Sequence, residues 1–261
     1  MKFFIKIIVT ALVAVLHIRS ALAKQGPDYS LGAGIRTLPK GASLSAELGY
    51  GVPLWGNSAP GEVFYGYMRT VTKLRTSALV NAGEVELQLA PISFFVLSGG
   101  TGASHRNVDS ATIDCSQFDC RGVLGSQYIG STLLLGAGDW AGGIDLRVDW
   151  LKPITSSATQ QDFADENSVL VGKKDGDRLL TQRIFLAWSP LPNWRWGGFL
   201  SVQQMDVSSA SNRTQGVFGK FAAEPWAFTA GLNFYESSTH SRSPGIFTAI
   251  SWTGIPSISL H

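Results

Sequence analysis

The sequence predicts an all-β chain that closes into a transmembrane, antiparallel up-and-down β-barrel of about ten strands. Three observations carry this. The N-terminus reads as a secretory signal, several strand-length stretches alternate apolar and polar residues, and most tryptophans fall near the ends of those stretches. Each fits a soluble β-sandwich less well when taken with the others.

The opening "MKFFIKIIVTALVAVLHIRSALA" places Lys2 and Lys6 before an apolar run from Ile7 to Ile18, then Ala21 and Ala23 before a cleavage point. That order is a signal peptide over 1–23. The run is short for a spanning helix, which needs about 20 residues. Removing Lys2, Lys6 and Arg19 takes the formal charge from +2 to −1. No electrostatic argument for nucleic acid remains. Charged residues make up only 15% of the chain, below the usual quarter or so of a soluble domain. No later stretch is apolar and long enough for a membrane helix, and the other spanning solution is a closed barrel.

The alternation is clearest in four stretches. "ASLSAELGYGV" sets Leu44, Ala46, Leu48 and Tyr50 against Ser43, Ser45, Glu47 and Gly49. "GGIDLRVDWL" sets Ile144, Leu146, Val148 and Trp150 against Asp145, Arg147 and Asp149. "WAFTAGLNFY" and "GIFTAISWTGIPSISLH" continue the pattern. A period of two with one apolar face is what a strand between lipid and a polar interior requires. Short turns are expected at 38–41, 136–139, 189–193 and 222–226. Longer connections are expected at 53–61, 98–120, 155–176, 207–214 and 237–245. Short periplasmic turns opposite long extracellular loops would leave the C-terminus in the periplasm.

Strands are expected at 28–37, 42–52, 62–75, 84–97, 121–135, 141–153, 178–189, 194–206, 213–222, 226–236 and 246–260. Eleven is odd, whereas bacterial barrels are even. The simplest repair treats 24–41 as an N-terminal extension or first strand and closes ten strands over 42–261. Twelve strands, through a missed split, is the alternative.

These stretches resemble the small Gram-negative outer-membrane β-barrel proteins. The resemblance spans the mature chain, is architectural, and rests on no enzyme motif. It implies residence in the cell outer membrane, contact with its lipid and lipopolysaccharide, and insertion by the barrel-assembly machinery. It also implies either a narrow porin-like channel or a structural surface barrel without catalysis. Members usually end in an aromatic residue, and this chain ends Leu260-His261.

The only two cysteines, Cys115 and Cys120, fall in the long connection 98–120. A metal clip would need about four ligands, and the spacing to His105 and Asp109 is not a zinc pattern. Thioredoxin-like sites place two residues between the cysteines, not four. In an oxidising compartment a structural disulfide is expected. So small a ring contributes on the order of 2 kcal/mol.

If the apolar set faces lipid, the other set faces the interior. Glu47, Arg69, Lys73, Arg75, Glu84, Glu86, Asp145, Arg147, Asp149, Arg183 and Arg195 are the expected lumen-facing charges. Gln203, Lys220 and Asn233 share that face. Arg75 and Glu84, flanking the connection 76–83, are expected to lie nearer each other than Arg69 and Glu84. A charge-balanced interior reads as a salt-bridged plug or as a narrow pore with facing acidic and basic walls.

A surface hydrolase using His240 with Ser241 and Ser243, or His105 with Ser104 and Asp109, is the competing class. A soluble secreted β-sandwich is the third. The glycines of "LLLGAGDWAGG" are read as a hairpin at Gly138-Asp139, and the acids Asp162, Asp165 and Glu166 as solvated loop chemistry. No cofactor or metal is expected.

Overall fold

A computed structural model describes residues 26–56, 63–77, 79–106, 115–156, 161–165, 168–238 and 240–258. The signal segment 1–23 and the terminal Leu260-His261 lie outside these residues. The strands are β1 (Gly26–Thr37), β2 (Lys40–Gly56), β3 (Tyr65–Thr76), β4 (Val80–Ile92), β5 (Phe95–Arg106), β6 (Gly122–Ala137) and β7 (Trp140–Ser156). They continue as β8 (Phe163–Asp165), β9 (Leu170–Gly172), β10 (Asp177–Leu191), β11 (Trp194–Met205), β12 (Ser211–Ala223), β13 (Trp226–Ser237) and β14 (His240–Ile255). Twelve of them form one closed barrel, with β1 paired to β14, while β8 and β9 form a separate hairpin. Every wall pairing is antiparallel.

The twelve-strand alternative therefore replaces the ten-strand expectation, and a single closed sheet excludes the sandwich. Two misreadings account for the difference. Residues 28–37 belong to the wall, because β1 pairs with β14 on one side and β2 on the other. The stretch read as one strand over 84–97 contains a hairpin, closed by the Ile92–Phe95 pair around Ser93-Phe94. The connection expected at 98–120 is consequently a strand as far as Arg106. Nor is 246–260 all strand: β14 runs from His240, so 240–245 is wall rather than loop, and ends at Ile255.

The hidden turn also reverses the ends. Successive antiparallel connections alternate between the two ends of a barrel, so one missed turn swaps every connection before it. One end carries the short turns at 93–94, 138–139, 192–193 and 224–225, and also the 57–64 connection and both barrel termini. The opposite end carries the connections 107–121, 157–176 and 206–210. The short 38–39, 77–79 and 238–239 connections lie there too.

Side chains alternate as a membrane wall demands. Leu44, Val85, Ile129, Leu146, Ile184, Val217, Leu232 and Ile246 are all exposed on the outer face. Tyr67, Val71, Glu86, Tyr128, Asp149 and Thr181 are buried on the inner one. The outer aromatics gather at the short-turn end. Trp140 stacks on Trp188 with centroids 6.2 Å apart, Trp194 on Trp196 at 5.6 Å, and Trp226 packs on Trp252 at 6.5 Å. With Trp55 at the close of β2, seven of the eight tryptophans sit there, and Trp150 alone lies toward the other end.

Candidate functional site: the barrel interior

The interior is built in three levels. At mid-height, a network of charges is attached to the wall from β1 to β7. Arg69 Nε and Nη2 donate to the Asp28 carboxylate at 2.9 and 2.5 Å, with side chains only 6% and 5% exposed. Arg69 also reaches Gln88 at 3.4 Å. Glu86 accepts from Lys73 at 3.0 Å, from Gln88 at 2.7 Å and from the Tyr128 hydroxyl at 2.7 Å. Arg147 bonds Asp149 at 2.6 Å, approaches Glu84 at 3.5 Å, and lies 3.5 Å above the Tyr128 ring. Such charge-assisted bonds offset the desolvation of groups held inside a barrel.

Small residues make room for this network. A Cβ on Gly49 would stand 2.5 Å from Asp28 Oδ1 and 2.7 Å from Arg69 Nε. One on Gly100 would stand 2.7 Å from the Tyr128 ring. Gly100 and Gly102 of "SGGTG" are thus wall positions facing large interior side chains, and Gly99 is a wall position on the other face.

Arg75 and Glu84 do not pair. The β3–β4 connection is only 77–79, which sets Arg75 opposite Ala82 and Lys73 opposite Glu84. Glu84 turns instead to Arg147, on a strand that is not its neighbour. Glu47 stands opposite Lys73 in register and forms no ion pair among the described residues. Asp145 accepts from Thr132 at 3.0 Å and stands 3.9 Å from Arg183.

The wall from β10 to β14 is different. The inward Arg183 side chain is 60% exposed. Arg195 and Lys220 are register partners on β11 and β12. Arg195 Nε donates to Ser189 Oγ at 3.3 Å, and neither cation has an ion pair among the described residues. Two like charges directly opposed destabilise a sheet, so strand stability does not explain them. Their inward neighbours toward the short-turn rim, Ala187, Ala222 and Thr229, are small, while farther along the same wall Phe199 packs edge-on against Phe247 at 5.7 Å.

At the long-loop end, the β8–β9 hairpin covers the mouth. Phe163 and Leu170 pack on Leu124, Leu151, Leu179 and Met205, which point inward from β6, β7, β10 and β11. Asn212 of β12 donates to Ser168 O, and Ser208 Oγ to Val171 O at 2.7 Å. The acids of this segment serve the hairpin. Asp162 accepts from Lys173 Nζ at 3.0 Å, and Asp165 accepts from Ser168 at 2.6 Å, while Glu166 lies outside the described residues. Val169 adopts φ 58° in the hairpin turn, a region costly for a β-branched side chain. Val169→Gly should stabilise the cap by about 1 kcal/mol, read as slower proteolysis of 161–172.

At the short-turn end the chain leaves β14 and folds back inside. Tyr65 donates to Ile258 O at 2.8 Å, and Ile258 and Val96 both pack against the cluster of Tyr65, Tyr67 and Ala90.

Cys115 and Cys120 form a disulfide. The histidines assemble no hydrolytic site among the described residues. Ser104 is buried on the inner face while the adjacent His105 is exposed, as adjacent strand residues must be when one face is covered. Ser243 bonds Ser241 O rather than His240, and Asp109 lies outside the described residues. No group of three or more potential metal ligands occurs among the described residues.

No protein-family model and no curated relative matches the chain. Its structure is similar to solved outer-membrane barrels. An outer membrane channel from Pseudomonas putida F1 aligns with TM-score 0.49 and 10% identity, over 89% of this chain and 97% of that one. NanC porin aligns with TM-score 0.46 and 10% identity, over 86% and 98%. KdgM porin aligns with TM-score 0.42 and 11% identity, over 90% and 99%.

Sequence reasoning passed over Asp28 and Tyr128. Both fall on the polar side of alternating stretches, "DYSLGAGIR" and "SQYIGSTLL", so the signal was there to be read.

Proposed function

We propose that the protein is an outer-membrane β-barrel whose interior is a narrow, off-centre aqueous channel favouring anions. The exposed apolar belt supports residence in lipid, since so continuous an apolar ring has no place on a water-soluble monomer. The end with both termini and the turns at 93–94, 138–139, 192–193 and 224–225 then faces the periplasm, and the cap faces outward. Lipid and lipopolysaccharide surround the wall, and the barrel-assembly machinery inserts it.

The observation that carries the channel reading is Arg183, which points into a closed barrel and is still 60% exposed. A charge inside a barrel is left uncovered only where water reaches it. Water therefore reaches Arg183 on β10, while the ion network fills the side of β1 to β7. Twelve strands lie between the barrel of about 8 that side chains fill and the open pore of about 16. The uncompensated charges along the wet side are cations.

Planar-bilayer recording on refolded protein tests this. Discrete conductance steps are expected, with a reversal potential in a salt gradient that favours chloride. Arg195→Gln with Lys220→Gln should shift selectivity toward cations and leave thermal stability unchanged or slightly raised. Absence of steps would assign the barrel a structural role instead.

A further inference from the structure

The disulfide ring and the cap are one assembly. Asp119 lies within the ring closed by Cys115 and Cys120, whose Cα atoms are 5.5 Å apart. Its N–H donates to Asp162 O at 2.9 Å, and its carbonyl accepts from Ala164 N at 3.1 Å. These bonds make Asp119 a parallel bridge partner of Phe163, a third strand one residue long beside the β8–β9 hairpin. Arg106, at the inner end of β5 and 2% exposed, ties the two together. It donates to Asp119 O at 2.9 Å, to Arg121 O at 3.1 Å and to Ala164 O. On the opposite side Asn212 of β12 and Ser208 of the 206–210 connection bond the cap.

We infer that the Cys115–Cys120 disulfide is a redox-sensitive latch that holds the cap across the mouth of the barrel. While the ring is closed, residues 115–121 have little conformational freedom to lose, so the Asp119 bridge forms at small entropic cost. A dithiol reductant opens it by exchange. One thiolate attacks a sulfur, the S–S bond breaks and a mixed disulfide forms. The second thiol of the reductant then displaces the protein thiolate. Two electrons pass to the protein, two cysteine thiols result, and the reductant leaves as a cyclic disulfide. The freed segment no longer presents Asp119 in extended form. The cap then loses its backbone bridge to the ring and is held by Arg106, by the packing of Phe163 and Leu170, and by Asn212 and Ser208, so it opens more readily. In an oxidising exterior the cap stays closed, and a reducing encounter opens it.

The inference rests on the channel reading only for what the cap obstructs, and two measurements separate them. Hydrogen exchange on full-length protein refolded in detergent is compared before and after dithiothreitol. Exchange within 162–172 should accelerate about tenfold, with 177–191 unchanged. Asp119→Pro, which removes the N–H donor and keeps the disulfide, should loosen the same segment without reductant. Unchanged exchange in 162–172 once both thiols are free would overturn the latch. In a bilayer, dithiothreitol added on the cap side should raise unit conductance. Equal conductance with the cap released would overturn its role as a lid. Faster exchange with no conductance in either state would leave the latch standing and reject the channel.

Discussion

Arg69→Met should cost the barrel about 3–5 kcal/mol, because it leaves Asp28 as an unmatched charge in a nearly dry site. The pair is the most enclosed in the interior, with both side chains about one-twentieth exposed and Gly49 leaving no room for water between them. The loss should appear as a lower urea midpoint for the refolded protein in detergent. Arg69→Met with Asp28→Asn should recover much of it, since the cost lies in stranding one charge rather than in losing the attraction. Lys73 offers the control. Its partner Glu86 is buried, but Lys73 itself is 31% exposed, and Glu86 retains Gln88 and Tyr128 as donors. Lys73→Met should therefore cost about 1 kcal/mol or less. Equal losses at the two positions would contradict enclosure of both partners as the source of the cost.

Leu146→Arg should cost about 2–4 kcal/mol or block assembly outright. Leu146 is exposed on the outer face of β7, between the inward Asp145 and Arg147. Its register neighbours Ser131 and Gln182 share that outer face, and neither is an acid that could pair with the new charge. An arginine there must be buried in lipid or drag water to itself. The measurement is the yield of heat-resistant folded barrel from lipid vesicles. Yield equal to the native protein would mean that this face of β7 does not meet lipid.

Alternation made the wall legible in sequence, because lipid outside and a polar interior impose opposite demands on neighbouring residues. The turn at Ser93-Phe94 was not legible, and the reason is physical. Turn residues are recognised by their affinity for water, yet this turn lies inside an apolar run. Ser93 is fully buried with its hydroxyl bonded to Val63 O, and Phe94 packs edge-on against Phe64. The converse error followed beside it. Glycines in "SGGTG" resemble loop chemistry, but Gly100 and Gly102 are set by the bulk of Tyr128 and Glu84 on adjacent strands. Which charges face inward followed from parity. Which partners they choose did not, because the Arg147–Glu84 contact crosses the interior between strands that never hydrogen-bond to each other. The cap was illegible for a similar reason. Its anchors Leu124, Leu151, Leu179 and Met205 come from four strands, and only closure of the barrel brings them together.

Seven tryptophans at one rim give the molecule a built-in optical probe of a single leaflet. Indole emission shifts to shorter wavelength on leaving water, and heavy-atom lipids quench it on contact. Bromine carried near the headgroups of the leaflet at the short-turn rim should extinguish most of the fluorescence, and the same label in the other leaflet should dim little beyond Trp150. During refolding into asymmetric vesicles, the time course of that quenching would report when this rim settles at its interface, separately from closure of the wall. Orientation in the bilayer becomes a spectroscopic observable without any added label on the protein.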